Sequence, residues 1–379
     1  MGIPFNKPYQ TGEELSNIAE AGNSGQLSGN GIFTGRCNKF FEEKFGFRNC
    51  FLTTSCTDAL EMAAILLRIK PGDEVIIPSF TFVSTALAFN REGAEIVFAD
   101  SRSDHPGIYE EQVESLITPK TRAIVVVHYA GVACDMDLIM SLADKYNLFV
   151  IEDAAHAIDS YFRCKPLGSI GHLGCFSFHE TKNIHCGEGG MLVINDERFV
   201  ERAEVIWNKG TNRSSFSKGV VNHYEWIDTG SSFLPSELTA AFLYSQLKNI
   251  DIIEERRQII WDYYYSNLKE LSDNLAVRLP SIPDYATNNG SIFYLICRSE
   301  NERDNLIAHL LNNEIQSVSH YRCLHESKFI QEMKIQEPLE LVNAKIYECR
   351  LLRLPIYFTL SHDDQNKIIE SIHNFYKNN

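Results

Sequence analysis

The chain has 379 residues, 44% of them apolar and 22% charged, with a net charge of −15 at pH 7. That balance is ordinary for a globular protein, and the length suits two or three domains, or one large α/β body with an appendage. The acidic balance and the lack of a Lys/Arg run argue against a nucleic-acid partner, and apolar runs no longer than AIVVV (123–127) argue against a membrane span.

The stretch MGIPFNKPYQTGEEL has no basic segment followed by an apolar one, so a soluble, cytoplasmic chain without a secretion signal is expected. The ten cysteines include no CxxC pair, which points to reduced thiols and no zinc site. His179, His185 and Cys186 lie close together, but no second ligand pair follows them.

In chain order, the first helix signal is TDALEMAAILLRI (57–69), with Thr54 or Ser55 as its cap and Pro71-Gly72 beyond its end. EVIIP (74–78), EIVFAD (95–100) and AIVVVH (123–128) then read as strands. DMDLIMSLADKYN (135–147) reads as a helix capped by Asp135 or Asp137. LFVIEDA (148–154), CFSF (175–178) and MLVIN (191–195) complete the strand set. These runs are rich in Val, Ile and Phe and hardly alternate, as buried strands of a sheet covered on both faces do. Their alternation with helices predicts an α/β fold with a mostly parallel central sheet.

The stretch 208–237 is polar and turn-rich, yet it carries Phe216, Tyr224, Trp226 and Phe233, too many aromatics for a disordered segment. Helices over 236–248 and 251–271 are expected to meet near Asn249. The remaining third reads as a smaller α+β unit. Its strands are SIFYLIC (291–297) and IQSVSHY (315–321), and its helices NERDNLIAHLLNN (301–313) and HDDQNKIIESIHNFYKN (362–378). The expected boundary near 250 separates a large domain, 1–250, from a small C-terminal one, 251–379.

Three stretches carry candidate chemistry. In TTSCTDALEM (53–62), small hydroxyl residues precede a helix whose first-turn N–H groups attract anions; an ordinary N-cap is the plainer alternative. No Walker A or GxGxxG motif is present. In FVIEDAAHA (149–157), an apolar strand ends in Glu152-Asp153, with His156 close by. Open α/β sheets bind ligands at strand C-termini. There Asp153 is open to holding a metal, acting as a base or pairing with a protonated ring nitrogen. In CFSFHETKNIHCGEGG (175–190), Ser177 and Lys182 precede a glycine cluster that allows close backbone approach. A lysine amine partly removed from water has a lowered pKa and attacks carbonyls. Together the three stretches fit one cofactor, pyridoxal 5′-phosphate, which needs a lysine, a carboxylate for its ring nitrogen and a phosphate cradle.

The chain resembles the DegT/DnrJ/EryC1/StrS sugar aminotransferase family over essentially its whole length. The likeness rests on SGNGIFTGRCNKFFEEKFG (28–46), PSFTFVSTALA (78–88), VVVHYAGVACDMD (125–137), IEDAAHA (151–157), GCFSFHETKN (174–183) and GEGGMLVIN (187–195). IPFNKP (3–8), KGTNRS (209–214) and SSFLPSEL (231–238) bring it nearest to the branch that makes dTDP-4-amino-4,6-dideoxygalactose. The resemblance implies fold type I of the pyridoxal-phosphate enzymes, the aspartate-aminotransferase architecture.

It further implies that Lys182 binds the cofactor and shuttles the proton, and that Asp153 faces the ring nitrogen. Phe82 falls at the ring-stacking position, where a core phenylalanine is the alternative. Ser55, Cys56 and Thr57, with Ser177, fall at the phosphate, and His156 beside the 3-hydroxyl. Tyr321 and His325 fall near the active site. Many relatives bring an Asn from the neighbouring subunit to the phosphate; here Ser232 stands at that position and Leu234 at the following Arg position. Asn212 and Arg213 are the candidate contacts across a homodimer interface.

The implied reaction moves the amino group of L-glutamate to C4 of dTDP-4-keto-6-deoxy-D-glucose, the galacto product being favoured. A gluco product, C3 amination and a non-catalytic nucleotide-sugar-binding protein are the alternatives. A dehydratase of the same family has His in place of the lysine, and Lys182 argues against one.

Overall fold

The computed structural model describes residues 2–333 and 340–377. Seven strands form the central sheet: β1 (Cys50–Thr53), β2 (Glu74–Pro78), β3 (Glu95–Ala99), β4 (Thr121–Val127), β5 (Phe149–Asp153), β6 (Leu173–Ser177) and β7 (Gly190–Ile194). Their order is β1-β7-β6-β5-β4-β2-β3. The pairings β6–β5, β5–β4, β4–β2 and β2–β3 are parallel, while β7 runs antiparallel to both its neighbours. β7 is therefore the one reversed strand in this sheet. The reversal follows from the short excursion between β6 and β7, which returns antiparallel instead of crossing over through a helix.

The two faces of the sheet bury two separate apolar clusters. Ile76, Ile124, Val126, Val150 and Phe176 pack with the helices Ile32–Phe45, Met136–Tyr146 and Glu237–Lys248. Val75, Ile77, Val125, Ile151 and Cys175 pack with the helices Cys56–Leu66, Ser84–Arg91 and Val200–Trp207. Successive strand residues alternate between these clusters, which is why the strands read as unbroken apolar runs. Each fully buried Val, Ile or Leu contributes roughly 1.5–3 kcal/mol.

β1 was not among the expected strands, because four residues at a sheet edge are too few to show a period. Helix Glu14–Asn23 and helix Ile32–Phe45 were not foreseen either. The cap of Cys56–Leu66 is Ser55, whose side chain accepts from the Asp58 N–H; that of Met136–Tyr146 is Asp135, which accepts from the Leu138 N–H. Helices Glu237–Lys248 and Ile250–Asp273 meet at Asn249.

Beyond them, β8 (Val277–Arg278), β9 (Tyr294–Cys297), β10 (Val318–Ser319) and β11 (Leu351–Arg353) form a second sheet in the order β8-β9-β11-β10. β9 and β10 are shorter than the expected 291–297 and 315–321, since pairing with β11 covers only Tyr294–Ile296 of the first and Val318–Ser319 of the second. Helices Glu300–Asn312 and His362–Lys377 flank this sheet; Asn378, expected to end the last helix, lies outside the described residues. Within 208–237 the chain forms a short helix, Arg213–Ser217, and isolated bridges Asn208 to Ser232 and Thr211 to Trp226. Among the described residues, no helix is long and apolar enough to cross a membrane.

One carboxylate ties the first layer together. Glu237 is 1% exposed and accepts from the N–H groups of Gly31 (2.9 Å), Phe33 (2.6 Å) and Thr34 (3.2 Å), and from the Thr34 hydroxyl at 2.5 Å. It neutralises the positive end of the Ile32–Phe45 helix. Replacing Glu237 with Ala leaves these donors buried and unpaired. The expected loss is about 3–5 kcal/mol of stability, read as a lower denaturant midpoint, with Glu237→Gln milder.

Candidate active site

The strand periodicity that divides the core also separates the two acids at the end of β5. Glu152 faces away from the site. It is fully buried, pairs with His128 at 2.9 Å and accepts from the N–H groups of Gly168, Ile170 and Gly171. His128 Nδ1 accepts from the Cys134 N–H, so the proton lies on Nε2 and is donated to Glu152. Asp153 turns to the opposite face. Its carboxylate accepts from the Thr85 hydroxyl at 2.7 Å and from the Ala155 N–H at 3.2 Å.

Asp153 lines a cavity of about 810 Å³ at the C-terminal ends of the parallel strands. The cavity also meets Ser55, Cys56, Thr57, Phe82, His156, Ser177, Lys182 and Tyr321. Nine of the residues singled out in the sequence are thus gathered in one space. They come from the ends of β1, β5 and β6, the turn after β2, the β6–β7 loop and the small sheet's side.

Lys182 is held by the geometry of the β6–β7 excursion. The Lys182 N–H donates to the His179 carbonyl at 2.9 Å, and below it Phe178 donates to Gly189, Cys186 to Phe178 and Glu180 to Gly187. The next residue, Asn183, donates to both oxygens of Glu254 (3.1 and 2.9 Å) and to the Asn289 carbonyl (2.8 Å). The ammonium of Lys182 is drawn down to about 8, chiefly by burial, with the nearby Arg353 charge adding to the effect. An amine in this range is still mostly protonated at neutral pH, but its uncharged fraction is far larger than that of an ordinary lysine, so it is competent as nucleophile and base.

The opposite wall is the N-terminus of the Cys56–Leu66 helix. The N–H groups of Cys56 and Thr57 precede any intrahelical acceptor, so they remain available to an anion. The Thr57 hydroxyl lies 2.7 Å from that of Ser84. Gly190 lets β7 pass this loop: a Cβ there would come within 2.4 Å of the Cys56 nitrogen. The Cys56 thiol is pushed up by burial and stays neutral, so the backbone rather than the side chain supplies positive character.

Burial also raises the pKa of Asp153, against the pull of the Thr85 hydroxyl, the Ala155 N–H and the Lys182 charge. A desolvated carboxylate in that condition calls for a cation, which a protonated pyridine nitrogen supplies. Phe82, at 56% exposed, offers a ring face to the cavity instead of lying in the core. His156 accepts the Ala130 N–H on Nδ1 at 3.3 Å, which leaves its Nε2 as a donor; burial holds the ring neutral. The donor set, acid and anion cradle therefore fit pyridoxal phosphate.

The remaining singled-out residues lie elsewhere. His325 is not among the cavity-lining residues; its Nδ1 is 2.6 Å from the Ser79 hydroxyl. Asn212 is 8% exposed, and both ends of its amide serve its own loop, to the His223 carbonyl (2.9 Å) and the Glu225 N–H (2.8 Å). Arg213 is exposed at the start of the short helix. His185 Nε2 donates to the Tyr9 carbonyl at 2.8 Å, so that nitrogen carries the proton.

Among the residues that sequence reading missed are the cavity-lining Phe5, His320 and Arg353, and Thr85, which holds Asp153 from behind. Arg353 carried a usable signal, a lone charge inside the apolar run LLRLPIY (351–357). Phe5 and Thr85 sat within quoted motifs without marking themselves.

The DegT/DnrJ/EryC1/StrS aminotransferase family matches residues 8–373. The spore coat polysaccharide biosynthesis protein SpsC of Bacillus subtilis is 32% identical over 99% of this chain and 97% of its own length. A sugar aminotransferase, Spr1654 of Streptococcus pneumoniae, solved in its PMP form, superposes with a TM-score of 0.91 at 23% identity, covering 100% of this chain and 98% of its own. DesV of S. venezuelae does so at 0.89 and 29% identity, covering 99% and 98%. The architecture is that of fold type I, with a mostly parallel central sheet. The chain belongs to the DegT/DnrJ/EryC1/StrS aminotransferase family.

Proposed function

We propose that this aminotransferase takes the amino group of L-glutamate and delivers it to C4 of dTDP-4-keto-6-deoxy-D-glucose, giving the galacto 4-amino-4,6-dideoxy product and 2-oxoglutarate. The observation that carries the reading is the convergence of Lys182, Asp153 and the open helix N-terminus at Cys56 in one cavity. Spr1654, solved in PLP and PMP forms, supports pyridoxal phosphate as the cofactor. The choice of sugar and carbon rests on the likeness of IPFNKP (3–8), KGTNRS (209–214) and SSFLPSEL (231–238) to the dideoxygalactose branch.

Bound there, the cofactor supplies an aldehyde carbon and an electron-withdrawing ring. Ser55, Cys56, Thr57 and Ser177 hold its phosphate, Asp153 its ring nitrogen, Phe82 one ring face and His156 its 3-hydroxyl. Lys182 anchors it through the ε-amine. When released by the donor, that amine takes the α-proton and returns it one position along. The same amine reverses the transfer for the keto sugar.

The protein works as a cytoplasmic homodimer in this reading. Trp226 and Val220 are 81% and 73% exposed, with Phe216 and Tyr224 also outward, on the 208–237 stretch that carries Asn212 and Arg213. A partner subunit covering this apolar surface receives the exposed Arg213 near its own cavity, while Asn212 braces the loop that carries it.

The test is product analysis. Purified enzyme should be yellow and lose that colour with L-glutamate. Proton NMR of the product from dTDP-4-keto-6-deoxyglucose should show couplings around C4 of a galacto amino sugar. Gluco couplings overturn the stereochemistry alone; bleaching without any amino sugar overturns the acceptor.

A further inference from the structure

Behind Lys182 lies a joint of buried amides. Asn183 is 6% exposed, and its amide nitrogen donates to both oxygens of Glu254 (3.1 and 2.9 Å) and to the Asn289 carbonyl (2.8 Å). The Asn289 carbonyl can only accept, so the nitrogen of the Asn183 amide faces that side and Glu254 accepts from it as well. Burial raises the Glu254 carboxyl to about 8, with Asp159 adding to the rise, against the pull of Arg257, the Asn183 amide and Lys44. Charged or neutral, that carboxyl keeps an oxygen to accept from Asn183.

Asn289 is the centre of the joint. It is buried, its amide nitrogen donates to the carbonyls of His156 (2.9 Å) and Ile158 (2.7 Å), and its amide oxygen accepts from the Ser291 N–H (3.1 Å). The loop after β4 passes it closely: a Cβ on Gly131, whose φ is +77°, would come within 2.2 Å of that oxygen. The helix Ile250–Asp273 grips the joint from both sides. Glu254 takes Asn183, and the buried Arg257 donates from Nη2 to the Ser291 carbonyl at 3.0 Å. Three walls of the cavity therefore meet here: the Lys182 loop, the turn that carries His156, and the Ser291-Ile292 segment that leads into the small sheet.

We propose that Asn183 and Asn289 are positioning residues, which fix the backbone of Lys182 against that of His156 so that the released amine is confined to the path between the cofactor and the donor's α-proton. The inference rests on the reading that Lys182 carries the proton. A lysine amine rides on a flexible four-carbon stem, so a fixed backbone is what limits its reach once its bond to the cofactor opens. The Lys182 N–H on the His179 carbonyl holds the chain before the stem, and the Asn183 amide holds it after. A displacement of about 1 Å costs on the order of 100-fold in a step that needs aligned atoms. Neither asparagine is among the cavity-lining residues, so donor binding itself does not depend on them.

The test uses cofactor-loaded enzyme. Asn183→Ala should bleach with L-glutamate roughly 10- to 100-fold more slowly, while the glutamate concentration giving half the maximal rate stays within about threefold of the parent. Glutamate deuterated at the α-carbon should give a larger hydrogen-to-deuterium rate ratio in the variant, because proton transfer has become the slow step. The pH midpoint of the bound cofactor's absorbance should rise, since a loosened loop admits water beside the lysine nitrogen and favours its protonated form. Glu254→Gln, which still offers Asn183 an oxygen, should stay close to the parent in all three measurements. Glu254→Leu should follow Asn183→Ala, and the Gln and Leu pair carries the test if Asn183→Ala does not fold. A lowered denaturant midpoint with bleaching rate, isotope ratio and absorbance midpoint unchanged overturns the proposal and leaves the joint purely structural. Equal defects in the Gln and Leu variants overturn it too, because the hydrogen bond is then not what matters. A parent enzyme that glutamate does not bleach removes the donor reading instead, and the absorbance midpoint still decides the role of the joint.

Discussion

Lys182→Ala is expected to abolish turnover, with kcat falling at least ~10³-fold, because one substitution removes both the covalent anchor and the proton carrier. The fold should survive, since the loop is held by backbone bonds among Phe178, Glu180, Cys186 and Gly189, and by Asn183 on Glu254, none of which uses the lysine side chain. Far-UV circular dichroism and the denaturant midpoint check that point. The lowered amine also predicts a pH dependence. Only the uncharged amine attacks an aldehyde, so covalent loading of free cofactor should accelerate as pH rises toward about 8 and level off above it. An unshifted lysine would still be accelerating at pH 10. Borohydride trapping of the loaded enzyme, followed by peptide mapping, should mark Lys182; near-parental activity in the Ala variant would remove its role.

Asp153→Asn is the second large effect. The substitution is nearly isosteric, and its amide can still engage the Thr85 hydroxyl and the Ala155 N–H, so folding should be retained. What disappears is the negative charge beside the ring nitrogen. The ring then deprotonates, withdraws electrons less strongly, and stabilises the charge left by α-proton removal poorly. A rate loss of roughly 10²- to 10³-fold is expected, with a shifted absorbance of the bound cofactor as the independent sign. Normal turnover in Asp153→Asn would refute the electrostatic role. Thr85→Val probes the same site from behind. Without that hydroxyl, the carboxylate has one hydrogen bond fewer and a smaller defect of the same kind should appear.

The features legible in the sequence are those whose physical cause is local. Val- and Ile-rich runs must be strands between packed layers. Ser55 and Asp135 must cap helices because their oxygens reach the following N–H groups. Asp153 was legible because it ends an apolar strand, where an ionisable group is costly unless used; Lys182, five residues beyond the end of β6, was legible only once the three stretches and the family resemblance were taken together. What stayed hidden depends on partners far along the chain. Glu152 and Asp153 look equivalent until the two-residue strand period sends one to His128 and the glycine loop and the other to the cavity.

Asn212 looks like a free polar side chain until folding returns His223 and Glu225 to both ends of its amide. Arg353 and His320 join Lys182 only because the small sheet packs its β11 end against the large one, over a separation no local pattern spans. Local sequence thus determined most of the buried strands and the caps at Ser55 and Asp135, because backbone propensity and burial act over a few residues. Tertiary structure alone decided which charges face one another, because electrostatic pairing depends on distance in space and is indifferent to distance along the chain.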